Sequence, residues 1–64
     1  MDENVMRHEY RELTTPEQNQ IVAIKDRGVE FYRLLVELGD SRELSLAKTR
    51  LEEAVMWATR HVTR

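Results

Sequence analysis

The chain contains no cysteine, so neither a disulfide nor a thiolate-bound metal is available to stabilise it. Its two histidines, His8 and His61, lie far apart in the sequence and make a poor pair of metal ligands. Ordering 64 residues costs about 100 kcal/mol, at about 1.5 kcal/mol per residue, and a single small core barely offsets this cost. Oligomerisation is the remaining means of stabilisation. We therefore expect a helical bundle that is completed by copies of the same chain.

The sequence is also poor in residues that break helices and in long apolar runs. One proline and two glycines, with 41% apolar and 34% charged residues, are typical of a soluble helical protein. No apolar run approaches the length of a membrane span, and the start MDEN is unlike a signal peptide. We therefore expect no membrane partner, and the absence of cysteine permits a cytosolic location. A formal net charge of −2 argues against binding to duplex nucleic acid, but leaves room for a local basic pocket around a small anion.

A short N-terminal helix is predicted over residues 2–12. Its apolar stripe is thin, and a helix this short depends on tertiary partners. The stripe consists of Val5, Met6, Tyr10 and Leu13.

A longer central helix starts at TTPEQ. Thr15 is a suitable N-cap, Pro16 fits the first helical position and Gln18 stands where a capping-box partner belongs. The helix then runs to about Leu38, and Gly39 ends it as a C-cap glycine. Its apolar residues follow a spacing of three and four, which predicts one buried face. That face comprises Ile21, Ile24, Phe31, Leu35 and Leu38, widened by a second row of Val22, Val29, Tyr32 and Val36.

Asp40 or Ser41 opens a C-terminal helix, and with Asp40 as the cap Glu43 completes a capping box. Because the turn is so short, the central and C-terminal helices must fold back as an antiparallel hairpin. Alanines on the C-terminal helix, opposite Gly28, allow the two backbones to approach closely. The apolar face of this helix comprises Leu44, Ala47, Leu51, Ala54, Val55, Ala58 and Val62. The predicted fold is all-α, a single domain over residues 1–64 with a short N-terminal helix and a long hairpin, completed by homo-oligomerisation.

Signatures of catalysis are missing from the sequence. It has no nucleophile–base signature, no glycine-rich phosphate loop and no HExxH motif, so we predict no catalytic residue, no metal and no cofactor. Glu52 and Glu53 point about 100° apart on a helix, so they cannot share a site within one chain and are expected to be solvated. His61, near a helix C-terminus, complements the helix dipole. Trp57 is expected in an intersubunit core, and stacking on a base is the alternative.

Lys25 interrupts the apolar row of the central helix between Val22 and Val29. A lysine in such a row either extends to the rim of the apolar face or binds an anion there. Tyr10 shares a cleft with Lys25 if the N-terminal helix folds back on the central one. A flat ring beside an ammonium suits a nucleotide, because the ring stacks on the base and the ammonium pairs with the phosphate.

Two stretches of the sequence resemble a known group of proteins. SRELSLAKTRLEEAVMWATRHVTR resembles the helical hairpin shared by the phage anti-CBASS cyclic-oligonucleotide sponges and the C-terminal part of the larger anti-Thoeris sponges. HEYRELTTPEQNQIVAIKDRG is similar to the anti-CBASS branch, which the length of the chain, without an additional β-domain, also favours. The resemblance therefore covers nearly the whole chain. Its most specific part is Arg42-Glu43-Leu44, Leu46-Ala47, Thr49, Leu51-Glu52-Glu53, Ala54 and Met56-Trp57-Ala58.

The resemblance implies a binding function without catalysis. Such sponges assemble as helical hexamers and sequester, in the host bacterial cytoplasm, the cyclic oligonucleotides that activate CBASS effectors. A tyrosine and a lysine that match Tyr10 and Lys25 hold cyclic dinucleotides such as cGAMP between paired protomers. In some members cyclic trinucleotides occupy a separate basic site where three protomers meet. Arg60, together with Arg27 of a neighbouring protomer, is our candidate for that second site.

A different class of function stays open at this point. Without the resemblance, the residues alone favour a small structural or regulatory helical module that oligomerises or docks on a protein partner. The two hypotheses differ in whether Tyr10 and Lys25 face a polar cleft or lie at the rim of a core. A nuclease or phosphodiesterase is disfavoured because no recognisable arrangement of metal ligands is present.

Overall fold

The computed structural model describes residues 12–64, and within them it contains two helices and no strand. Helix α1 spans Thr15–Leu38 and helix α2 spans Arg42–Thr63. Residues 39–41 connect them, and the helices pack against each other as an antiparallel hairpin. The all-α hairpin expected from the sequence is thus confirmed. The predicted N-terminal helix, with Tyr10, lies outside the described residues except for Glu12, which is not helical.

Helix α1 begins one residue earlier than the sequence pattern suggested. Thr14, not Thr15, is the N-cap, and its Oγ1 accepts a hydrogen bond from the backbone N–H of Glu17 at 3.3 Å. The Glu17 carboxylate in turn accepts from the backbone N–H of Thr14 at 2.9 Å, which completes a capping box. The prediction of Thr15 and Gln18 in these roles was wrong. Glu17 is the stronger partner because a charged carboxylate also interacts favourably with the positive end of the helix dipole.

The turn between the helices depends on one glycine and one serine. Gly39 ends α1 with φ +118°, a backbone conformation that residues with a side chain rarely adopt. Ser41 caps α2, since its Oγ accepts a hydrogen bond from the backbone N–H of Leu44 at 3.0 Å. Of the two caps that the sequence left open, the structure therefore selects Ser41 and not Asp40.

The helices approach each other closely at Gly28. A β-carbon added to Gly28 would lie 2.7 Å from Cγ2 of Val55, so this position has no room for a side chain. The close approach predicted for Gly28 is present, but the residue opposite is a valine and not one of the neighbouring alanines. Further apolar burial occurs at Leu35 and Val62, which retain 6% and 8% of their exposure.

The apolar face of the hairpin is wider than its interhelical contact. Among the residues predicted to be internal, Phe31, Leu38 and Ala54 are exposed in the single chain, with Phe31 at 51% and Leu38 at 64%. One partner helix covers a single stripe of α1, so the second row of apolar residues cannot be buried by the hairpin alone. The exposed residues of that row are Val22, Val29 and Val36. Within residues 12–64 neither helix is long and apolar enough to cross a membrane.

Candidate ligand-binding site

Two open grooves flank the contact between Gly28 and Val55, one on each side of the hairpin. We call the first the Lys25 groove; it has a volume of about 360 Å³. It is lined by Lys25, Gly28, Val29, Tyr32, Leu51, Glu52 and Val55. The second, the Arg27 groove, has a volume of about 410 Å³. It is lined by Ala23, Ile24, Arg27, Gly28, Phe31, Leu51, Ala54 and Val55.

Lys25 lies on α1 one turn before Gly28, and its side chain lines the first groove. This placement follows from its position in the row of Val22 and Val29, as the spacing predicted. No ion pair involves Lys25 within residues 12–64, so its ammonium is available to an anion in the groove. Tyr10, the other residue predicted for this site, lies outside the described residues.

Tyr32 contributes an aromatic ring to the Lys25 groove, whereas the sequence pattern predicted this residue only on the apolar face. The ring is half-buried, and the ammonium of Lys48 lies 5.9 Å from its centroid. A cation over the face of a ring is attracted by the quadrupole of that ring. The signal was present in the sequence, because Tyr32 follows Lys25 by seven residues and Val29 by three, which are spacings of one helix face.

Glu52 is the second groove residue whose role the sequence analysis missed. Its neighbour Glu53 accepts a hydrogen bond from the Arg50 guanidinium at 3.2 Å, whereas Glu52 lines the Lys25 groove. The prediction that the two adjacent carboxylates do not share a site agrees with this separation. Both side chains are exposed, as expected, but only Glu52 faces a site.

The two arginines predicted for a second site occupy different surroundings within one protomer. Arg27 lines the second groove and forms an exposed ion pair with Glu30 at 3.5 Å. Arg60 does not line that groove; its guanidinium lies 5.5 Å from the ring centroid of Trp57, which is itself 59% exposed. A single hairpin therefore does not unite Arg27 and Arg60 in one groove.

The Lys25 groove combines charged, aromatic and apolar side chains. The Lys25 groove offers one ring and apolar walls to a flat organic ligand, one ammonium to an anionic group of that ligand, and one carboxylate to its hydrogen-bond donors. No group of three or more histidine, aspartate or glutamate side chains within residues 12–64 is arranged to hold a metal ion. His61 lies in the last turn of α2 together with Arg60, where positive charge complements the helix dipole.

Comparison with known proteins gives one result. The family model described as Acb2/Tad1, hairpin domain, matches residues 1–63 of the chain. The match includes the whole of α1 and α2, and with them Lys25, Arg27 and Arg60. No curated protein and no solved structure matches the chain.

Proposed function

Because the chain belongs to the Acb2/Tad1 hairpin-domain family, we propose that it is a phage immune-evasion protein that sequesters cyclic oligonucleotide second messengers. It binds cyclic dinucleotides such as cGAMP without cleaving them, and thereby prevents the activation of CBASS effectors in the host bacterial cytoplasm. The observation that carries this proposal is the family match over residues 1–63.

The Lys25 groove supports the proposal through its size and its lining. Its volume of about 360 Å³ lies in the range of about 300–1,000 Å³ that small-ligand pockets occupy. A cyclic dinucleotide has two phosphates and two bases, so it matches a pair of grooves related by a two-fold axis. Two copies of the chain then present two Lys25 ammonium groups, one for each phosphate, in the same arrangement.

The affinity of such a paired site is sufficient for sequestration. A charge-assisted contact contributes about 1.5–3 kcal/mol, and a stacked base contributes about 1–3 kcal/mol. Two of each sum to about 5–12 kcal/mol, and the upper end of this range corresponds to nanomolar affinity if the pocket is already formed. Tyr10 is proposed to supply the stacking ring, in keeping with the resemblance, and Lys25 to bind the phosphate.

Assembly into a larger oligomer is part of the proposed function. Large apolar side chains remain exposed on the single hairpin, on both helices, and a soluble monomer rarely leaves so many uncovered. We propose that copies of the chain cover them in a hexamer. They are Val22, Val29, Phe31, Leu34, Val36, Leu38, Leu46, Met56 and Trp57.

A second site for cyclic trinucleotides is proposed at a junction of three protomers. Arg60 and Arg27 are the candidate residues, each contributed by a different protomer. Arg27 is 77% exposed beside a groove, so its guanidinium is accessible to a neighbour. An exposed ion pair such as Arg27–Glu30 contributes about 0.2–1 kcal/mol, so a phosphate can compete with the Glu30 carboxylate for the arginine.

The alternative function is a structural or regulatory helical module that docks on a protein partner. The exposed apolar residues of the hairpin favour it, because an uncovered apolar face fits a protein partner as well as another copy of the chain. It differs from the sponge in requiring no ligand in the Lys25 groove.

Isothermal titration calorimetry with cyclic dinucleotides tests the proposed function. We expect Lys25→Ala to reduce the affinity at least about a hundredfold, because each two-fold pocket loses two charge-assisted contacts of about 1.5–3 kcal/mol. Arg33→Ala is the matched control, since it removes a cation from the same helix at a position that lines neither groove. It should bind as the unchanged protein does.

Circular dichroism and light scattering should find both variants folded and assembled, because Lys25 and Arg33 are exposed. Equal affinity of the Lys25→Ala variant and the unchanged protein would remove Lys25 from the site. Failure of the unchanged protein to bind any cyclic oligonucleotide would refute the sponge and favour the protein-docking module.

A further inference from the structure

The Lys25 groove carries opposite charges at its two ends. Gly28 contacts Val55, and the helices are antiparallel, so Glu52 lies on the level of residue 31 of α1. Lys25 is six residues before that level, which separates the backbone positions of Lys25 and Glu52 by about 9 Å along the hairpin axis. Within residues 12–64 neither Lys25 nor Glu52 forms an ion pair, so the groove keeps both charges available.

The surface between these charges is suited to a flat base. Val29, Leu51 and Val55 form apolar walls, and the ring of Tyr32 lies at the same end of the groove as Glu52. Lys48 stands over the Tyr32 ring and does not pair with Glu52, although it precedes Glu52 by four residues on α2. A nucleotide whose phosphate meets Lys25 can therefore place its base beside Glu52.

A carboxylate in this position discriminates among bases. It repels the phosphates of the messenger, so it favours binding only when the ligand offers it hydrogen-bond donors. Guanine presents two adjacent donors, N1–H and the N2 amino group, to which one carboxylate binds with both oxygens. Adenine and cytosine place an acceptor nitrogen beside their amino group, and uracil has a single N–H between two carbonyls. Guanine is thus the base that fits a carboxylate best.

We propose that Glu52 binds the N1–H and N2 amino group of guanine and makes the Lys25 groove selective for guanine-containing cyclic dinucleotides. This inference rests on the proposed function of the groove. Each Glu52–guanine pair replaces repulsion by two charge-assisted hydrogen bonds. A bidentate contact of this kind discriminates by about tenfold or more for each base. A ligand with two guanines makes this contact twice, because each of the two protomers contributes a Glu52.

The test is a titration of cyclic diguanylate, 3′,3′-cGAMP and cyclic diadenylate into the unchanged protein and the Glu52→Gln variant. We expect affinity to decrease in that order in the unchanged protein, by about tenfold for each guanine replaced. Glu52→Gln should weaken diguanylate by about a hundredfold and cGAMP by about tenfold. Diadenylate should bind the variant equally well or more tightly, because its phosphates no longer meet the carboxylate.

Two controls accompany this titration. Glu53→Gln removes the adjacent carboxylate, which is bound to Arg50 outside the groove, and should leave the three affinities unchanged. Cyclic di-inosinate lacks the N2 amino group and should bind the unchanged protein more weakly than diguanylate, whereas the Glu52→Gln variant should hardly distinguish the two.

Equal weakening of all three ligands by Glu52→Gln would assign Glu52 a structural role and overturn the inference. Unchanged affinities in that variant would overturn it as well. In both cases loss of binding in Lys25→Ala would leave the proposed function intact. If the unchanged protein binds none of the ligands, the inference and the proposed function both fail.

Discussion

Gly28 is the residue that brings the two helices together and separates the two grooves. It lines both grooves, as does Val55, and the two residues meet where a side chain on Gly28 would collide with Cγ2 of Val55. Valine is stiff about χ1 in a helix, so it cannot turn away freely. A larger residue at position 28 must therefore push the helices apart and change the width of both grooves.

The effect of Gly28→Ala on stability tests this contact, because it should be destabilising in the unchanged chain and stabilising when Val55 is replaced by alanine. Gly28→Ala gains about 1 kcal/mol of helix propensity but overpacks the contact at a cost of about 1–3 kcal/mol, so we expect net destabilisation by about 1 kcal/mol. In a Val55→Ala background the clash is gone, because only Cβ of residue 55 remains, 3.9 Å from the added carbon. There the same substitution should stabilise by up to about 1 kcal/mol.

Urea unfolding measures this double-mutant cycle at one fixed protein concentration. The four proteins are the unchanged chain, Gly28→Ala, Val55→Ala and the double variant. Stabilisation by Gly28→Ala in the otherwise unchanged chain would show that the helices do not meet at this residue. Equal effects in the two backgrounds would mean that Gly28 and Val55 do not interact.

The ends of the helices show how far local sequence determines an element. The stop at Leu38 was predicted correctly, because Gly39 adopts a positive φ that favours glycine over every other residue. The start was wrong by one residue, because Thr14 and Thr15 both satisfy the pattern of a cap followed by a polar partner three positions later. Glu17 decides between them, and a carboxylate has the advantage over the amide of Gln18 at this end of a helix.

The Thr14 and Thr15 caps can be distinguished by a pair of single substitutions. Thr14→Ala removes the acceptor for the Glu17 backbone N–H and should destabilise the hairpin by about 1 kcal/mol. Thr15→Ala replaces a residue of the first turn by a better helix former and should cost less than about 0.5 kcal/mol. The free energies of unfolding of the two variants are compared at one protein concentration. A larger loss of stability for Thr15→Ala than for Thr14→Ala would contradict the observed cap.

The sequence predicted only part of the candidate site, because spacing within one helix can be read from the sequence but the register between two helices cannot. The spacing within α1 placed Lys25 correctly beside Val29, since a helix fixes the positions of residues three and four apart. Glu52 comes from the other helix, and its place in the groove depends on the register at Gly28 and Val55. A one-turn shift of α2 would replace it by another residue. Periodicity predicts which face is apolar but does not determine this register.

At the scale of the whole molecule, the part of the chain from residue 12 to residue 64 buries few of its apolar side chains. Within residues 12–64 the apolar side chains classed as buried are Leu35 and Val62, while Trp57 is 59% exposed with Arg60 over its ring. Cation–π contact with one arginine covers only one face of the indole. The remaining surface of the indole is exposed, and the intersubunit position of Trp57 stays a prediction from the sequence.

Trp57→Ala is expected to dissociate the assembly while leaving the isolated hairpin helical. Loss of a tryptophan that is buried between protomers costs about 3–5 kcal/mol, whereas an exposed one contributes little to the hairpin itself. Light scattering coupled to size-exclusion chromatography measures the mass, and Trp57→Phe, which keeps a ring, should retain more of the assembly. An unchanged mass for Trp57→Ala would place the indole outside every interface.

The central claim, that the chain binds cyclic dinucleotides and does not cleave them, is tested most directly by recovering the ligand. The protein is mixed with cGAMP in equal amounts, the free ligand is separated by filtration, and the retained complex is heated and analysed by chromatography. We predict that cGAMP disappears from the filtrate and returns intact after heating, in proportion to the protein. Ligand that stays in the filtrate, or that returns as a linear or hydrolysed product, would contradict this account.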